Sequence, residues 1–307
     1  HTLPREDMYW EQAPDAGVPL VFNSMSKNRF REIKRHLHLN DNDKLDKNDK
    51  FYKLRKYFDT LKENFTKFGI FHKMLSLDEM MVRYYGRHPT KMYMQGKPIK
   101  FGYKIWCMCS SNGYLFNFDP YSGRSDNDTV GLLGTRVVKK LINVISPETM
   151  EDHELFFDNF FTGHELLVEL QRLMLKATGT MRENRTKLCP LIPCKEMQKK
   201  KDRGYFEKQF DKEGEVLVVR WKDNKAVTMA TNYSDVLPIE KAKRFSRKQQ
   251  GTISIPIPRL FCEYNRNMGG VDLLDKQISL YRTRIRSKKW WWPLFTQFLD
   301  VAIVNTW

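Results

Sequence analysis

Three aspartates lie at positions where side-chain packing does not explain a short acidic residue. Asp78 lies in a short apolar run typical of a strand, and Asp158 interrupts the phenylalanines of LFFDNFFTG. Asp272 follows Gly269 and Gly270 at a predicted helix start. Taking a carboxylate out of water costs several kcal/mol unless a partner compensates it. A lone aspartate before a helix is also a common N-cap, so a capping role and a ligand role both remain open.

Carboxylates from distant parts of a chain act together only if the fold brings them together. Like charges at contact distance raise each other's pKa, so converging aspartates need a cation to stay ionised. Oxygen ligands with no thiolate or imidazole nearby favour Mg²⁺ or Mn²⁺. Two such ions about 4 Å apart would activate an attacking oxygen and stabilise the leaving oxygen of a phosphodiester. Asp78, Asp158 and Asp272 therefore predict a two-ion phosphoryl-transfer site.

The charge of the chain indicates an anionic partner. The 307 residues include 53 Lys and Arg and 37 Asp and Glu, which gives a formal net charge of +16. Nucleic acid, an anionic membrane and an acidic protein are all compatible with this surplus. No apolar run approaches the length of a membrane span and no signal-peptide pattern opens the chain, so we expect nucleic acid and no membrane.

Cysteines and histidines do not form a metal motif. The five cysteines are spaced C-x-C and C-x4-C, without the paired C-x2-C of zinc modules, and the seven histidines contain no H-E-x-x-H. We expect free thiols in a reducing compartment and histidines with ordinary surface or capping roles.

Hydrophobic spacing predicts the elements that must position the aspartates. Helical patterns place Phe30, Ile33 and Leu37 on one face, and a second helix follows from Leu54 to Phe65. Strands are then expected around Asp78 and on both sides of Ser111-Asn112-Gly113, forming a three-stranded meander. A helix is expected over residues 129–145.

After the run around Asp158, a helix is expected to begin with Thr162 and Glu165 as a capping box and to end near Gly179. Residues 181–258 are polar and strand-like, as in an inserted β-rich module. Helical patterns resume from residue 260. The last helix is expected to bury one face, formed by Phe295, Leu299, Ala302, Ile303 and Thr306.

Several motifs, taken in order, resemble the piggyBac transposases and the domesticated proteins derived from them. They are MSKNRFREIKRHLHLND, LSLDEMMVRYYGRHP, KPIKFGYKIWCMC, LFFDNFFTG, GTMRENR and YNRNMGGVDLLDKQISLYR. The resemblance implies a mixed α/β fold with a ribonuclease H-like catalytic core, a β-rich insertion domain and an N-terminal helical region. The implied divisions are a helical dimerisation and DNA-binding region at 1–72, the first part of the core at 73–182, the insertion at 183–258, and the second part of the core with the C-terminal helix at 259–307.

The resemblance also implies roles for individual acidic residues. Matched by motif, Asp78 in SLDEMM, Asp158 in FFDNFF and Asp272 in MGGVDLLD correspond to the catalytic, metal-binding DDD triad, and Asp275 to a further catalytic acidic position. The implied activity is metal-dependent cleavage and transfer of double-stranded DNA at transposon ends with TTAA targets. The implied protein is nuclear, forms a homodimer on DNA and uses no small-molecule cofactor.

A second interpretation stays open, in which the chain is a domesticated derivative that binds DNA or chromatin without transposition. The cysteine-rich zinc domain common in active members has no counterpart in the Cys and His spacing, and the N-terminal region begins late. A nuclease of similar fold without strand transfer is a third alternative.

A basic and aromatic stretch follows the motif that contains Asp272. In YRTRIRSKKWWWPLF, five cations are predicted to contact the DNA backbone: Arg282, Arg284, Arg286, Lys288 and Lys289. The rings of Trp290, Trp291 and Trp292 would either stack on exposed bases or anchor the last helix in the core.

Overall fold

The computed structural model describes residues 3–13, 15–123, 131–186, 189–247, 249–283 and 285–306. Nine α-helices occur in these residues: α1 (Pro19–Ser24), α2 (Lys27–His36), α3 (Tyr52–Phe68), α4 (Leu133–Ile142), α5 (His164–Arg172), α6 (Cys194–Lys200), α7 (Arg259–Asn267), α8 (Gly270–Tyr281) and α9 (Trp292–Asn305). In this part of the chain no helix is both long and apolar enough to cross a membrane.

The same residues contain eleven strands: β1 (Met74–Arg83), β2 (Met92–Tyr93), β3 (Phe101–Ser110), β4 (Leu115–Pro120), β5 (Glu154–Phe157), β6 (Lys176–Thr180), β7 (Phe206–Asp211), β8 (Val216–Lys222), β9 (Ala226–Thr231), β10 (Ile239–Ser246) and β11 (Gly251–Pro258). Short 3₁₀ helices span Glu6–Trp10, Pro147–Asp152 and Glu183–Arg185. The predicted mixed α/β class is confirmed.

A nine-stranded sheet organises the molecule. Its order is β2-β3-β1-β5-β6-β9-β8-β7, and β4 pairs with β3 outside this path. The strands β1, β5 and β6 are parallel to one another, whereas β3 is antiparallel to β1. The meander β1-β3-β4 follows the prediction, and β2 is an additional short strand at the edge.

The strand-rich segment after residue 183 is continuous with this sheet. Strand β9 pairs with β6 through Thr178 opposite Thr231, and β8 and β7 extend the sheet beyond it. Only β10 and β11 stand apart, as a two-stranded ribbon. Hydrogen bonding therefore joins β7, β8 and β9 to the part of the sheet that contains Asp78 and Asp158.

Both faces of β1 are covered, because alternate residues of a strand point to opposite sides. Leu75 and Leu77 belong to a core cluster that includes α4 and α5. Met80 and Val82 belong to a second cluster with residues of α3, α8 and α9, including Phe58, Leu274 and Phe298. The sheet thus separates two cores, and α8 lies on the second side.

Helix α2 is held at both ends by side chains. At its start, the hydroxyl of Ser26 accepts a hydrogen bond from the backbone N–H of Arg29. At its end, the ammonium of Lys289 donates to the carbonyl oxygens of Lys34, Arg35 and Leu37 at 3.0, 2.9 and 2.8 Å. Lys289 therefore ties the basic segment before α9 to the N-terminal region.

The predicted capping box at α5 is wrong. The N-cap is Gly163 and has no side-chain cap, while the hydroxyl of Thr162 donates to the carbonyl oxygen of Asp158 at 2.8 Å. The predicted end near Gly179 is also wrong, since α5 ends at Arg172 and the following residues form β6. Strand β6 is buried between β5 and β9, and this pairing outweighs the helical pattern of its sequence.

The predicted buried face of α9 is displaced. Leu299 and Ile303 are exposed, and the residues that pack inward are Trp292, Leu294, Thr296, Gln297, Phe298, Asp300 and Val301. This helix is apolar over most of its surface, so spacing alone did not identify the side that faces β1 and α3. Trp291 and Trp292 are buried, as expected for anchors of the last helix.

Gly270, the first residue of α8, sets how closely the helix approaches the sheet. A Cβ at this position would overlap the carbonyl oxygen of Ser110 and the hydroxyl of Ser76, whereas a Cβ at the neighbouring Gly269 would meet nothing within 4 Å. Glycine at position 270 therefore allows the acidic end of α8 to lie against β1 and β3.

We predict that Gly270→Ala lowers the free energy of unfolding by about 2–3 kcal/mol, because overpacking against backbone forces the helix away from the sheet. Gly269→Ala is the matched control and should cost less than about 1 kcal/mol, the range of a changed N-cap. Urea unfolding of both variants measures the difference. Equal losses would contradict the assigned role of Gly270.

Candidate catalytic carboxylate site

The pairing of β1 with β5 brings Asp78 and Asp158 together. Leu77 and Phe157 are register partners in these parallel strands, and the two aspartates are the next residues in each chain segment. Neighbouring strands lie about 4.8 Å apart, so the aspartates are lateral neighbours where β5 ends. Asp78 is also the register partner of Cys107, which belongs to the core cluster beneath α8.

The turn after β5 fixes the carboxylate of Asp158. Its Oδ1 accepts a hydrogen bond from the backbone N–H of Phe160 at 2.9 Å. The guanidinium of Arg185 donates to the carbonyl oxygens of Asn159, Phe160 and Thr162 at 3.0, 2.7 and 3.0 Å. Phe157 is fully buried, while Asp158 itself is only partly buried. The phenylalanines thus anchor a turn that leaves the carboxylate at the border of the core.

Both carboxylates are held in an environment that disfavours their charge. Burial, followed by the charge of Glu79 and assisted by Asp158, raises the pKa of Asp78 to about 7. Burial first, and then the charge of Glu79, raises the pKa of Asp158 above its ordinary value. The hydrogen bond from the backbone N–H of Glu79 to Asp78, at 2.7 Å, opposes this effect only in part.

Helix α8 supplies two further carboxylates. Asp272 is exposed in the first turn, and Asp275 lies three residues later with its Oδ1 buried and without a hydrogen-bond partner in the described residues. Burial, with a contribution from Asp272, raises the pKa of Asp275 to about 6, while Arg282 opposes the shift. Burial and the nearby charges of Asp275 and Asp78 raise the pKa of the Cys109 thiol on β3.

Two lysines outside the predicted site compensate this acidic group. The ammonium of Lys97, in the turn between β2 and β3, lies 2.9 Å from Glu79 Oε1, and Lys104 lies 3.7 Å from Glu79 Oε2. Burial would lower the pKa of Lys97, but Asp78, Glu79 and Asp272 together raise it. Lys97 is thus electrostatically linked to the first and third predicted catalytic aspartates.

Sequence reasoning missed Glu79, Lys97 and Arg185 as parts of the site. All three lie in motifs that support the family resemblance, namely SLDEMM, KPIKFGYKIW and GTMRENR. Their contacts depend on turns that fold back over the sheet, and the motifs alone do not predict the direction in which these turns fold.

The predicted DNA-binding cations occupy different environments. Arg286 and Lys288 are exposed, whereas Arg282 is partly buried, with its Nε lacking a hydrogen-bond partner in the described residues and its charge acting on Asp275. Lys289 is engaged with the end of α2. Arg284 lies outside the described residues. A DNA contact remains a prediction for each of them.

The donor chemistry of the site fits a hard divalent cation. Asp78 and Asp158 present neighbouring oxygen ligands, and Asp275 presents a buried oxygen without a partner. Within the described ranges, however, no group of three or more His, Cys, Asp or Glu residues has the spacing of a metal site. The structure therefore brings Asp78 and Asp158 together and places Asp272 and Asp275 on the facing helix.

Thiol chemistry does not contribute to this site. All five cysteines are free, as predicted, and Cys107 and Cys109 are fully buried on β3. Burial raises the pKa of both thiols well above the ordinary value, which keeps them protonated.

A large mixed sheet that places Asp78 of β1 beside Asp158 at the end of the parallel strand β5 defines a mixed α/β protein with a carboxylate site. The family model described as Transposase IS4 matches residues 1–307. The chain is 37% identical over 309 residues to the human PiggyBac transposable element-derived protein 3, covering 100% of this chain and 52% of that protein. It is 35% identical over 308 residues to the human PiggyBac transposable element-derived protein 2, with coverages of 100% and 52%.

A solved structure agrees with this assignment. The fold is similar to a chain in the cryo-EM structure of the piggyBac transposase synaptic complex with hairpin DNA, with a TM-score of 0.74 and 27% sequence identity. The match covers 92% of this chain and 56% of that chain. The chain belongs to the piggyBac-type transposase family, and it spans about half the length of the curated relatives it matches.

We predict that Asp78→Asn stabilises the metal-free protein at pH 8 by on the order of 1–3 kcal/mol. A raised carboxyl pKa means that the wild-type protein is most stable, relative to this variant, below the unfolded-state pKa near 4 and loses stability as pH rises through about 7. The advantage of the variant should therefore disappear near pH 4. Urea unfolding in EDTA across this range measures it.

Asp49→Asn is the control of opposite sign. The guanidinium of Arg55 donates to both carboxylate oxygens of Asp49 and holds its pKa below the ordinary value, so this variant should be less stable than the wild type at pH 8. An Asp78→Asn variant that loses stability at pH 8 would contradict the proposed environment of Asp78.

Proposed function

We propose that the chain is the catalytic core of a piggyBac-like DDD transposase, with a ribonuclease H-like core that cleaves and transfers DNA strands at transposon ends with TTAA targets. The observation that carries this proposal is the parallel register of β1 with β5, which places Asp78 within β1 beside Asp158 at the end of β5, facing the acidic start of α8. The similarity to a transposase structure that contains hairpin DNA supports it. We propose a nuclear protein that acts as a homodimer on double-stranded DNA without a small-molecule cofactor.

In this proposal, Asp78, Asp158 and Asp272 hold two Mg²⁺ or Mn²⁺ ions, and Asp275 supports them. When bound, the ions supply charge stabilisation for the attacking and leaving oxygens of the phosphodiester. The protein's own part is positional: the backbone N–H of Phe160 orients Asp158, and Arg185 fixes the turn that contains it. Because the pKa of Asp78 is raised to about 7, binding of an ion by this carboxylate would release a proton near neutral pH.

DNA would approach along the cations that follow α8. Arg286 and Lys288 are exposed and available to phosphates, whereas Arg282 would act near Asp275 and Lys289 would order α2 beside them. The sequence pattern alone is the basis for including Arg284 among the cations that would contact DNA phosphates. The net charge of +16 supports a DNA substrate.

A second function is favoured by the names of the curated relatives. The two human relatives described above are named as transposable element-derived, which suits a domesticated protein that binds DNA without transposition. In that case the carboxylate pair and Lys97 would persist as a compensated acidic cluster with no ion.

We predict that the purified chain nicks a supercoiled plasmid in Mn²⁺ and that Asp158→Asn lowers the rate at least about 100-fold, because one ligand of the reacting centre is lost. Asp152→Asn, which removes an exposed carboxylate just before β5, is the charge-matched control and should retain wild-type activity. Gel analysis of nicked circles measures the rate. Equal nicking by Asp158→Asn would refute the catalytic assignment, and DNA binding without nicking would favour the second function.

We predict that Arg286→Ala and Lys288→Ala weaken DNA binding similarly for different sequences and reduce the dependence of log K on log[salt] by about one unit each, as expected for phosphate contacts. Thermal unfolding of both variants should match the wild type because both side chains are exposed. Lys289→Ala should instead lower stability, since it frees three carbonyl oxygens at the end of α2. Unchanged salt dependence in both exposed variants would place the DNA elsewhere.

A further inference from the structure

The segment that contains β2 and β3 has a net positive charge because it lacks acidic residues. Residues 80–118 contain six Lys and Arg residues and no Asp or Glu. Arg83 and Lys100, close to the point where β1, β2 and β3 meet, are exposed. Lys97 and Lys104 are paired with Glu79, so the positive charge of this surface comes from the other cations, including Arg83 and Lys100.

Three aromatic side chains stand on this basic surface, and we call them the aromatic patch: Tyr85, Tyr93 and Phe101. They are 71%, 55% and 42% exposed. The ring centroids of Tyr93 and Phe101 are 4.9 Å apart at an interplanar angle of 43°, and those of Tyr85 and Phe101 are 6.4 Å apart at 51°. Single exposed aromatics are common on protein surfaces, but three rings joined through Phe101 form a patch that indicates a binding site.

The composition of the patch identifies the chemistry of its partner. Exposed rings surrounded by lysine and arginine suit an unpaired nucleic-acid strand, whose bases stack on the rings while its phosphates meet the cations. In a duplex the base faces are already stacked on each other, so a duplex would use the cations alone. An acidic peptide would likewise use the charges and gain little from the rings.

The patch lies at the exposed start of β3, and the buried residues Tyr103 and Ile105 separate it from the register partner of Asp78 along that face of the strand. Phe101 and Cys107 are both odd-numbered residues of β3, so their side chains share a face, and Cys107 is the register partner of Asp78. Six residues of β3 separate them, which corresponds to about 20 Å. This distance equals about six nucleotides at the rise of a stacked strand.

The turn between β2 and β3 connects the two places. Tyr93 and Phe101 are register partners on either side of this turn, and Lys97 within it contacts Glu79 at 2.9 Å. Lys97 therefore links the turn that carries two of the rings to the acidic group around Asp78.

We infer that the aromatic patch is a stacking platform for unpaired nucleotides of the DNA strand adjoining the catalytic carboxylates. This inference rests on the proposed function, since it assumes that the same DNA substrate is bound. It adds the chemical class recognised at the patch, namely single-stranded nucleotides.

The test is fluorescence anisotropy with a labelled single-stranded oligonucleotide and with the corresponding duplex, both in EDTA. Tyr93→Ala combined with Phe101→Ala should weaken single-strand binding about tenfold or more and duplex binding less than about twofold, with no change in the salt dependence. Phe210→Ala is the matched control: Phe210 is 57% exposed on β7, at the opposite end of the sheet, and its removal should change neither affinity. The conservative variant Phe101→Trp should retain single-strand binding.

A second measurement uses the wild-type protein and so does not depend on the folding of a variant. An oligonucleotide containing 5-iodouracil should photocrosslink to Tyr93 or Phe101, located by mass spectrometry. Crosslinks that avoid the patch, or equal losses of single-strand and duplex binding in the double variant, would overturn the inference. Plasmid nicking by the wild type is scored separately: if nicking persists while the patch fails, only this inference is wrong, and if the wild type binds no DNA, both proposals fail.

Discussion

The pairing of β1 with β5 is the constraint on which the site depends. Two parallel strands in register place Asp78 and Asp158 side by side, and burial prevents water from fully solvating either charge. A carboxylate pair of this kind is unfavourable in the isolated protein and becomes favourable once a cation or a proton is shared. Burial first, then the charge of Glu79, with a smaller contribution from Asp158, raises the pKa of Asp78 to about 7.

The surrounding residues hold these carboxylates in place and partly offset their negative charge. Gly270 permits α8 to lie against β1 and β3, so that Asp275 adds a further partly buried carboxylate. Lys97 reaches the same group from the turn between β2 and β3, and Arg282 acts on Asp275 from the segment after α8. Acidic residues that would repel one another are thus balanced by cations from segments far apart in sequence.

The sequence was informative where a pattern reflects local physics. The spacing of Phe58 and Leu61 identified α3, and the order of motifs indicated the family before any geometry was known. It failed where neighbours decide the outcome: Lys176–Thr180 continued a helical pattern yet forms β6, because buried pairing with β5 and β9 stabilises a strand there. The sequence does not predict the ion pair between Glu79 and Lys97 for the same reason, because the pair forms only when the turn before β3 folds back.

The central claim is that Asp78 and Asp158 form a divalent-cation site, and anomalous diffraction from crystals soaked in Mn²⁺ tests it most directly. We predict an anomalous peak between the two carboxylates, with oxygen ligands at about 2.1 Å. The same soak of Asp158→Asn crystals should lose that peak. A wild-type map without a peak there, in crystals that bind Mn²⁺ at other positions, would contradict the account.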